Sequence, residues 1–156
     1  MDYCEKFPQK AFQVNVDGVS NIVDIIKDTN IKFVHLSSDA VYSLNSTNNR
    51  ETDNLEPFNI YGLTKVCSEY FAKKLKNHII IRTRLYIPKK KFNSYADDMI
   101  NSAININRMP KIIKILIEKD FNGIINIGDK TDNNYNRVFK SNSKISKTNW
   151  YKIINN

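Results

Sequence analysis

The residue types best suited to chemistry in this sequence are a tyrosine and a lysine four positions apart. Tyr61 and Lys65 belong to the segment YGLTK. On a helix, side chains at this spacing are neighbours on one face, so the lysine ammonium would lie beside the phenol. A nearby positive charge favours the phenolate and lowers the tyrosine pKa, which makes the phenol a usable proton donor and acceptor near neutral pH. The same spacing also arises by chance on amphipathic surface helices, so the pair alone does not establish an enzyme.

A second group with chemical potential lies upstream, where Ser37, Ser38 and Asp39 follow the apolar run FVHL. Such a run suits a strand that is buried on both faces of a parallel sheet. In open α/β sheets, ligands bind at the carboxyl ends of the strands. A serine hydroxyl at that place can hydrogen-bond a substrate carbonyl or hydroxyl, which favours a site shared with Tyr61 and Lys65.

The elements that must position these residues alternate between helices and strands. Amphipathic spacing predicts helices at residues 8–28, 60–76, 94–107 and 111–119. Buried apolar runs predict strands at residues 33–36, 79–81 and 123–128. A long polar loop is expected at residues 43–59. The alternation indicates an α/β protein in which the first two strands are adjacent, parallel and joined by a crossover that contains the Tyr61 helix.

The first two of these helices carry apolar stripes that predict their inward faces. The stripe of the first helix is Phe12, Val16, Val19, Val23 and Ile26. The predicted core stripe of the second helix is Leu63, Val66, Cys67 and Tyr70. A separate face of the second helix carries Tyr61, Lys65, Ser68 and Ala72.

Composition and charge narrow the classes of protein and site. The net charge of +8 is scattered apart from the lysines at 89–91, which indicates a solvated basic surface and no nucleic-acid partner. Cys4 and Cys67 form no CxxC motif, and His35 and His78 are isolated, so we expect reduced thiols and no metal site. No signal peptide or membrane-length apolar run is present in the sequence, which predicts a cytoplasmic protein without membrane association.

Several motifs in this order resemble the extended short-chain dehydrogenase/reductase family, and within it the dTDP-4-dehydrorhamnose reductase branch. The motifs are FVHLSSDAVY, ETD at 51–53, Pro57, YGLTK with Glu69 after it, IIIRT, and GIINIG at 123–128. The resemblance implies the C-terminal portion of a Rossmann-type doubly wound parallel sheet, with about three strands. Residues 1–128 would form a partial NAD(P)-binding and substrate-binding domain, and residues 129–156 a polar tail anchored by Trp150.

The resemblance also implies an activity, the reduction of a 4-keto-6-deoxy nucleotide sugar of the dTDP- or UDP-4-dehydrorhamnose type by NADP or NAD cofactors, as in rhamnose biosynthesis. Tyr61 would protonate the carbonyl oxygen, Lys65 would tune Tyr61 and hold the nicotinamide ribose, and Ser38 would position the sugar carbonyl. Asp39 would contribute to substrate binding. Ala40 stands where related 4,6-dehydratases carry an acid, which favours a reductase or an epimerase/reductase over a dehydratase.

The sequence departs from the family pattern in two places. It contains four glycines and no GxGxxG or GxxGxxG turn, which in the family cradles the cofactor pyrophosphate. The connection near Met109 and Pro110 is shorter than the substrate-loop segment of the family. We therefore expect a truncated reductase that binds NAD(P)H weakly or not at all on its own, and that a second chain could complete by supplying the front half. Two alternatives stay open: a non-catalytic module that resembles the regulatory subunit of methionine adenosyltransferase, and a decaying gene fragment.

Overall fold

The computed structural model describes residues 2–44, 46–87, 94–96, 100–133 and 146–148. Its α-helices are, in chain order, α1 (Asp2–Lys6), α2 (Pro8–Phe12), α3 (Gly18–Ile26), α4 (Ile60–Ala72) and α5 (Met109–Glu118). Its strands are β1 (Phe33–Leu36), β2 (His78–Thr83), β3 (Leu85–Tyr86), β4 (Ser94–Ala96), β5 (Ile100–Asn101), β6 (Ile104–Asn105), β7 (Gly123–Ile127), β8 (Asp132–Asn133) and β9 (Ser146–Thr148). The lysines at 89–91 and Trp150 lie outside the described residues.

The predicted first helix is present, with a π-helical turn in its middle. Pro8 occupies the start of α2, where its missing N–H costs nothing, and the turn Gln13–Asp17 joins α2 to α3. The inward face buries Ala11, Val16 and Val23. The apolar stripe of the sequence is therefore confirmed as the face that packs inward.

The core of the fold is a parallel sheet with the strand order β1-β2-β7. Phe33 to Leu36 pair with His78 to Ile81, and β7 lies on the other side of β2. Three consecutive isoleucines in β2 are fully buried, because a central parallel strand is covered on both faces. The predicted fold class is confirmed, and so is the prediction that the first two strands are adjacent and parallel and flank the Tyr61 helix.

The inward face of α4 differs from the predicted apolar stripe. Leu63 is 39% exposed and Tyr70 is 65% exposed. The residues buried on α4 are instead small or polar: Gly62, Thr64, Ser68, Glu69 and Ala72. The prediction failed because hydrophobicity was taken as the guide to burial, whereas this helix is held to the sheet by hydrogen bonds and an ion pair.

The helix predicted at residues 94–107 is wrong. The described part of that segment contains β4, β5 and β6, in which β5 pairs antiparallel with β8 and β6 pairs parallel with β3. Asparagine and β-branched isoleucine dominate residues 100–106, and both are weak helix formers. Pairing with strands distant in sequence therefore outweighs the weak helical pattern.

The chain divides into two compact units. The first comprises Met1–Thr83 and Ile113–Ile127, and it holds the three-stranded sheet and the Tyr61 helix. The second comprises Arg84–Ile112 and Gly128–Asn156, and it holds the short strand pairs β3-β6, β4-β9 and β5-β8. Among the described residues, no helix is both long and apolar enough to cross a membrane.

Candidate active site

The carboxyl end of β1 is shaped by a serine that caps a short turn. The ladder continues one residue past the strand, where Ser37 N–H donates to the Ile81 carbonyl at 2.8 Å. Ser38 is extended, and its Oγ accepts a hydrogen bond from Ala40 N–H at 3.2 Å. This bond closes the 3₁₀ turn Asp39–Val41. The serine therefore has a fixed position at the edge where parallel sheets bind their ligands.

Tyr61 reaches this serine because α4 begins against the same turn. Asn59 caps the helix by accepting from Gly62 N–H at 2.7 Å. A Cβ on Gly62 would lie 2.2 Å from the Ala40 carbonyl oxygen, so only glycine allows this approach. The Ser38 side chain lies beside the Tyr61 phenol, close enough to lower the pKa of the phenol. Two of the residues predicted from sequence, Ser38 and Tyr61, are thus brought side by side.

Replacing Gly62 with alanine is expected to push the start of α4 away from the Ala40 turn. Overpacking of this kind typically costs about 1–3 kcal/mol in free energy of unfolding. Urea unfolding would measure the loss. Gly18→Ala is the matched control, because a Cβ there meets its nearest atom at 3.9 Å, and alanine favours a helix interior over glycine by up to about 1 kcal/mol. Equal stabilities of the two variants would contradict the close contact at Gly62.

The protonation of Tyr61 differs from the prediction made from its spacing to Lys65. Burial raises the pKa of Tyr61, and the negative charge of Asp39 adds to this, while the hydrogen bond from Ser38 opposes it. Lys65 is not among the groups that shift this pKa, and the expected depression is wrong. The phenol is accordingly protonated at neutral pH, which is the state that a proton donor requires.

The charge of Lys65 instead lowers the pKa of His35, which lies beneath the helix. His35 is buried on β1, and its Nε2 lies 2.9 Å from the Ser68 hydroxyl. Burial, and then the Lys65 charge, lower the pKa of His35 to about 4. Burial also lowers the pKa of Lys65, and Glu69 opposes that effect. The ammonium therefore sits partly buried, one helical turn beyond Tyr61.

His35 is expected to make the protein less stable in mild acid. Its pKa falls from 6.5 in the unfolded chain to about 4 in the fold, so the unfolded state binds the proton first. The free energy of unfolding has its full value above pH 6.5 and declines as the pH falls from 6.5 towards 4. Below pH 4 it is about 3 kcal/mol lower than at neutral pH. Urea unfolding of wild type and His35→Gln across this range would show converging stabilities as the pH falls. Parallel curves would contradict a neutral, buried His35.

A buried ion pair joins the helix to both strand ends. Glu69 on α4 accepts two hydrogen bonds from Arg82 on β2, from Nε at 3.0 Å and from Nη2 at 2.7 Å. Ser37 Oγ donates to the same carboxylate at 2.5 Å. Glu69 and Arg82 are almost fully removed from solvent. The helix that carries Tyr61 and the strand end that carries Ser38 are thus fixed to one another.

The network continues into the long polar loop. Arg82 donates from Nη1 to the Tyr42 hydroxyl at 2.8 Å, and Tyr42 lies 2.9 Å from Asn126 Oδ1 on β7. Asn126 N–H donates to Glu51 Oε1 at 2.8 Å, and its side-chain amide donates to the Asn49 carbonyl at 2.9 Å. The loop predicted at residues 43–59 is therefore anchored on the ends of two strands.

Sequence reasoning assigned no role to Glu69, Arg82 or Tyr42. A signal was available, since Glu69 follows Lys65 by four residues and an arginine interrupts an otherwise apolar strand run. Charged residues in buried positions are almost always paired. Among the described residues, no cluster of three or more histidine, cysteine or carboxylate side chains is arranged to hold a metal ion.

Comparison with known proteins relates this chain to dTDP-4-dehydrorhamnose reductases. Residues 1–114 match the family described as the RmlD substrate binding domain. The dTDP-4-dehydrorhamnose reductase of Sinorhizobium fredii is 33% identical over 85 residues, which cover 53% of this chain and 29% of that protein. The enzyme of the same name from Salmonella typhimurium is 30% identical over 105 residues, covering 66% of this chain and 35% of that protein.

Solved structures extend the likeness to most of the chain. A hypothetical dTDP-4-dehydrorhamnose reductase from Sulfolobus tokodaii superposes with a TM-score of 0.80 at 26% identity, covering 94% of this chain and 60% of that one. The dTDP-4-dehydrorhamnose reductase of Bacillus anthracis, solved in complex with NADP, gives 0.82 at 22% identity, covering 96% of this chain and 62% of that one. The family match, which spans well over half of the sequence, shows that this chain belongs to the RmlD substrate binding domain family and is a dTDP-4-dehydrorhamnose reductase-like protein with a Rossmann-type fold.

Proposed function

We propose that this chain carries the reducing site of an NAD(P)-dependent nucleotide-sugar reductase, with a 4-keto-6-deoxy sugar as its substrate. The observation that carries the proposal is that the Ser38 hydroxyl and the Tyr61 phenol lie side by side at the carboxyl end of β1. The names of the curated relatives supply the substrate class. The chain spans 60% and 62% of the two related structures. The activity of a complete reductase is therefore itself proposed for this chain.

In the proposed reaction, these residues transfer a proton to the carbonyl oxygen while a hydride reaches the carbonyl carbon. NAD(P)H supplies the hydride to the carbonyl carbon when it is bound. Ser38 would hold the carbonyl oxygen by a hydrogen bond, and Tyr61 would give that oxygen its proton, so that the ketone becomes an alcohol. The phenolate left on Tyr61 is reprotonated from solvent. The raised pKa of Tyr61 supports this direction, because the phenol carries its proton at neutral pH.

The residues present fit the nicotinamide end of the cofactor. Lys65 offers a partly buried ammonium on the helix that carries Tyr61, and it would donate to the ribose hydroxyls. No glycine-rich turn for the pyrophosphate occurs in the sequence. Asp39 is proposed to contact the sugar. The expected second chain finds no support in the comparisons. The assay below therefore uses this chain alone, with NAD(P)H in high excess to offset the weak cofactor binding that the missing turn implies.

The direct test is an activity assay of the purified chain with dTDP-4-dehydrorhamnose and either NADPH or NADH. Oxidation of the reduced cofactor together with formation of a dTDP-deoxysugar alcohol, identified by mass spectrometry, is the expected result. dTDP-glucose, which has no ketone, is the matched control and should give no turnover. Calorimetric binding of the sugar nucleotide without turnover would overturn the reductase and favour a non-catalytic binding module.

A further inference from the structure

The carboxyl end of β2 carries a buried hydroxyl that makes no hydrogen bond within the described part of the chain. Thr83 is 5% exposed, and its Oγ1 is the buried side-chain oxygen that has no hydrogen-bond partner among the described residues. Leaving such a group unpaired costs about 1–3 kcal/mol, and native proteins satisfy most of them. An unpaired hydroxyl at the ligand-binding edge of a parallel sheet therefore calls for a partner other than the described residues, and a bound ligand is the partner expected at that edge.

The position of Thr83 relates it directly to Ser38. Leu36 pairs with Ile81, and the Ser37 N–H bond to Ile81 extends the ladder beyond β1. Two residues beyond this pair along each strand, Ser38 and Thr83 occupy equivalent positions on neighbouring strands. Strands in a sheet are about 4.8 Å apart. Thr83 therefore lies one strand spacing from the serine that contacts Tyr61.

The side-chain directions agree with this placement. Ser37 and Arg82 both contact Glu69, so their side chains share the face of the sheet that α4 covers. Side chains alternate between faces along extended backbone. Ser38 and Thr83, which each follow one of these residues, consequently point the same way at the strand ends, away from Glu69, and Ser38 there meets the Tyr61 phenol at the start of α4.

A purely structural role does not account for the threonine. Its backbone already belongs to the ladder, where it pairs with Ile127. The strand is otherwise rich in isoleucine, and valine would fill the same volume with the same β-branched shape and no polar atom to desolvate. The hydroxyl is the feature that valine could not supply.

We propose that Thr83 is a ligand-binding residue whose Oγ1 hydrogen-bonds a neutral hydroxyl or carboxamide of the ligand held next to Ser38 and Tyr61. The inference rests on the proposed function, since it names a further contact of the same site. A neutral group is specified because one buried hydroxyl cannot compensate the desolvation of an ion. Two sources have this chemistry: a sugar hydroxyl near the reacting carbonyl, and the carboxamide of the nicotinamide.

The test compares Thr83→Val, which removes the hydroxyl at constant shape, with Thr83→Ser, which keeps it. Without ligand, the melting temperature of T83V is expected to equal or exceed that of wild type, because no internal hydrogen bond is lost. A fall of several degrees would show an internal partner and overturn the proposal. This measurement does not depend on any activity.

The second measurement is steady-state kinetics with both substrates varied. T83V is expected to raise the KM of one substrate about three- to tenfold, the loss that one hydrogen bond produces, while T83S stays within about twofold of wild type. An effect on the sugar KM alone identifies a sugar hydroxyl, and an effect on the NADPH KM alone identifies the carboxamide. Unchanged kinetics in T83V would overturn the Thr83 proposal alone, whereas a wild-type chain that neither binds nor turns over either ligand would overturn the proposed function with it.

Discussion

Replacing Tyr61 with phenylalanine is expected to lower the turnover number for sugar reduction by about 10²- to 10⁴-fold, the range that general acid catalysis contributes. The phenol beside Ser38 is the proton donor in the proposed reaction, and the ring that remains keeps the packing of α4. Circular dichroism and urea unfolding would confirm an intact fold, and turnover at saturating NADPH would measure the effect.

The control for this variant lies on the same helix. Tyr70→Phe removes the same atom from a side chain that is 65% exposed on α4, and it should leave turnover unchanged. The rate of wild type should be flat through neutral pH and fall only as the pH rises through the raised pKa of Tyr61, because the proton is then lost. Normal turnover in Tyr61→Phe would move the proton donor to another group.

Replacing Glu69 with alanine is expected to lower the free energy of unfolding by about 3–5 kcal/mol. The substitution leaves the Arg82 guanidinium buried without its counter-ion and removes the acceptor for Ser37. Arg82 stays charged in this variant, because a guanidinium does not lose its proton in proteins even when it is buried. Urea unfolding of wild type and variant gives the difference.

Two further variants test whether the unpaired buried charge causes the loss of stability in Glu69→Ala. Glu118→Ala breaks an exposed pair with Lys114 at 3.6 Å and should cost less than about 1 kcal/mol. The double variant Glu69→Leu with Arg82→Met should recover much of the stability lost in Glu69→Ala, since it leaves no unpaired charge. A loss in Glu69→Ala no larger than in Glu118→Ala would show that the buried pair does not hold the helix to the sheet.

Local patterns were enough to locate the central strands, the first helix and the two residues that lie side by side at the candidate site. The continuous apolar run predicted β1, and the apolar stripe predicted the inward side of the first helix, because burial there repeats with the helical period. Tyr61 was identified from its spacing to Lys65 at a helix start, and a serine partner was expected at the strand end. The family resemblance singled out Ser38 over Ser37. The parallel crossover that joins them follows from general rules of chain connection.

Tertiary structure decided which face of α4 is buried. Leu63 and Tyr70 belong to the most hydrophobic stripe of the helix, but both are exposed. Ser68 and Glu69 face the sheet instead. Their partners, His35 and Arg82, lie 33 and 13 residues away in the chain. Hydrogen-bond partners this distant leave no periodic trace in the helix itself. The strands at 100–105 were missed for the same reason, because their partners are remote segments.

The electrostatics of the site also depend on three-dimensional packing. The spacing of Tyr61 and Lys65 predicted a lowered tyrosine pKa, whereas burial in the fold raises it. Sequence spacing sets which side chains share a helix face, but desolvation depends on everything packed around that face. The sequence by itself therefore determined which residues meet at the end of β1. Only the tertiary structure decided that the Tyr61 phenol stays protonated and that the Thr83 hydroxyl is buried without a partner among the described residues.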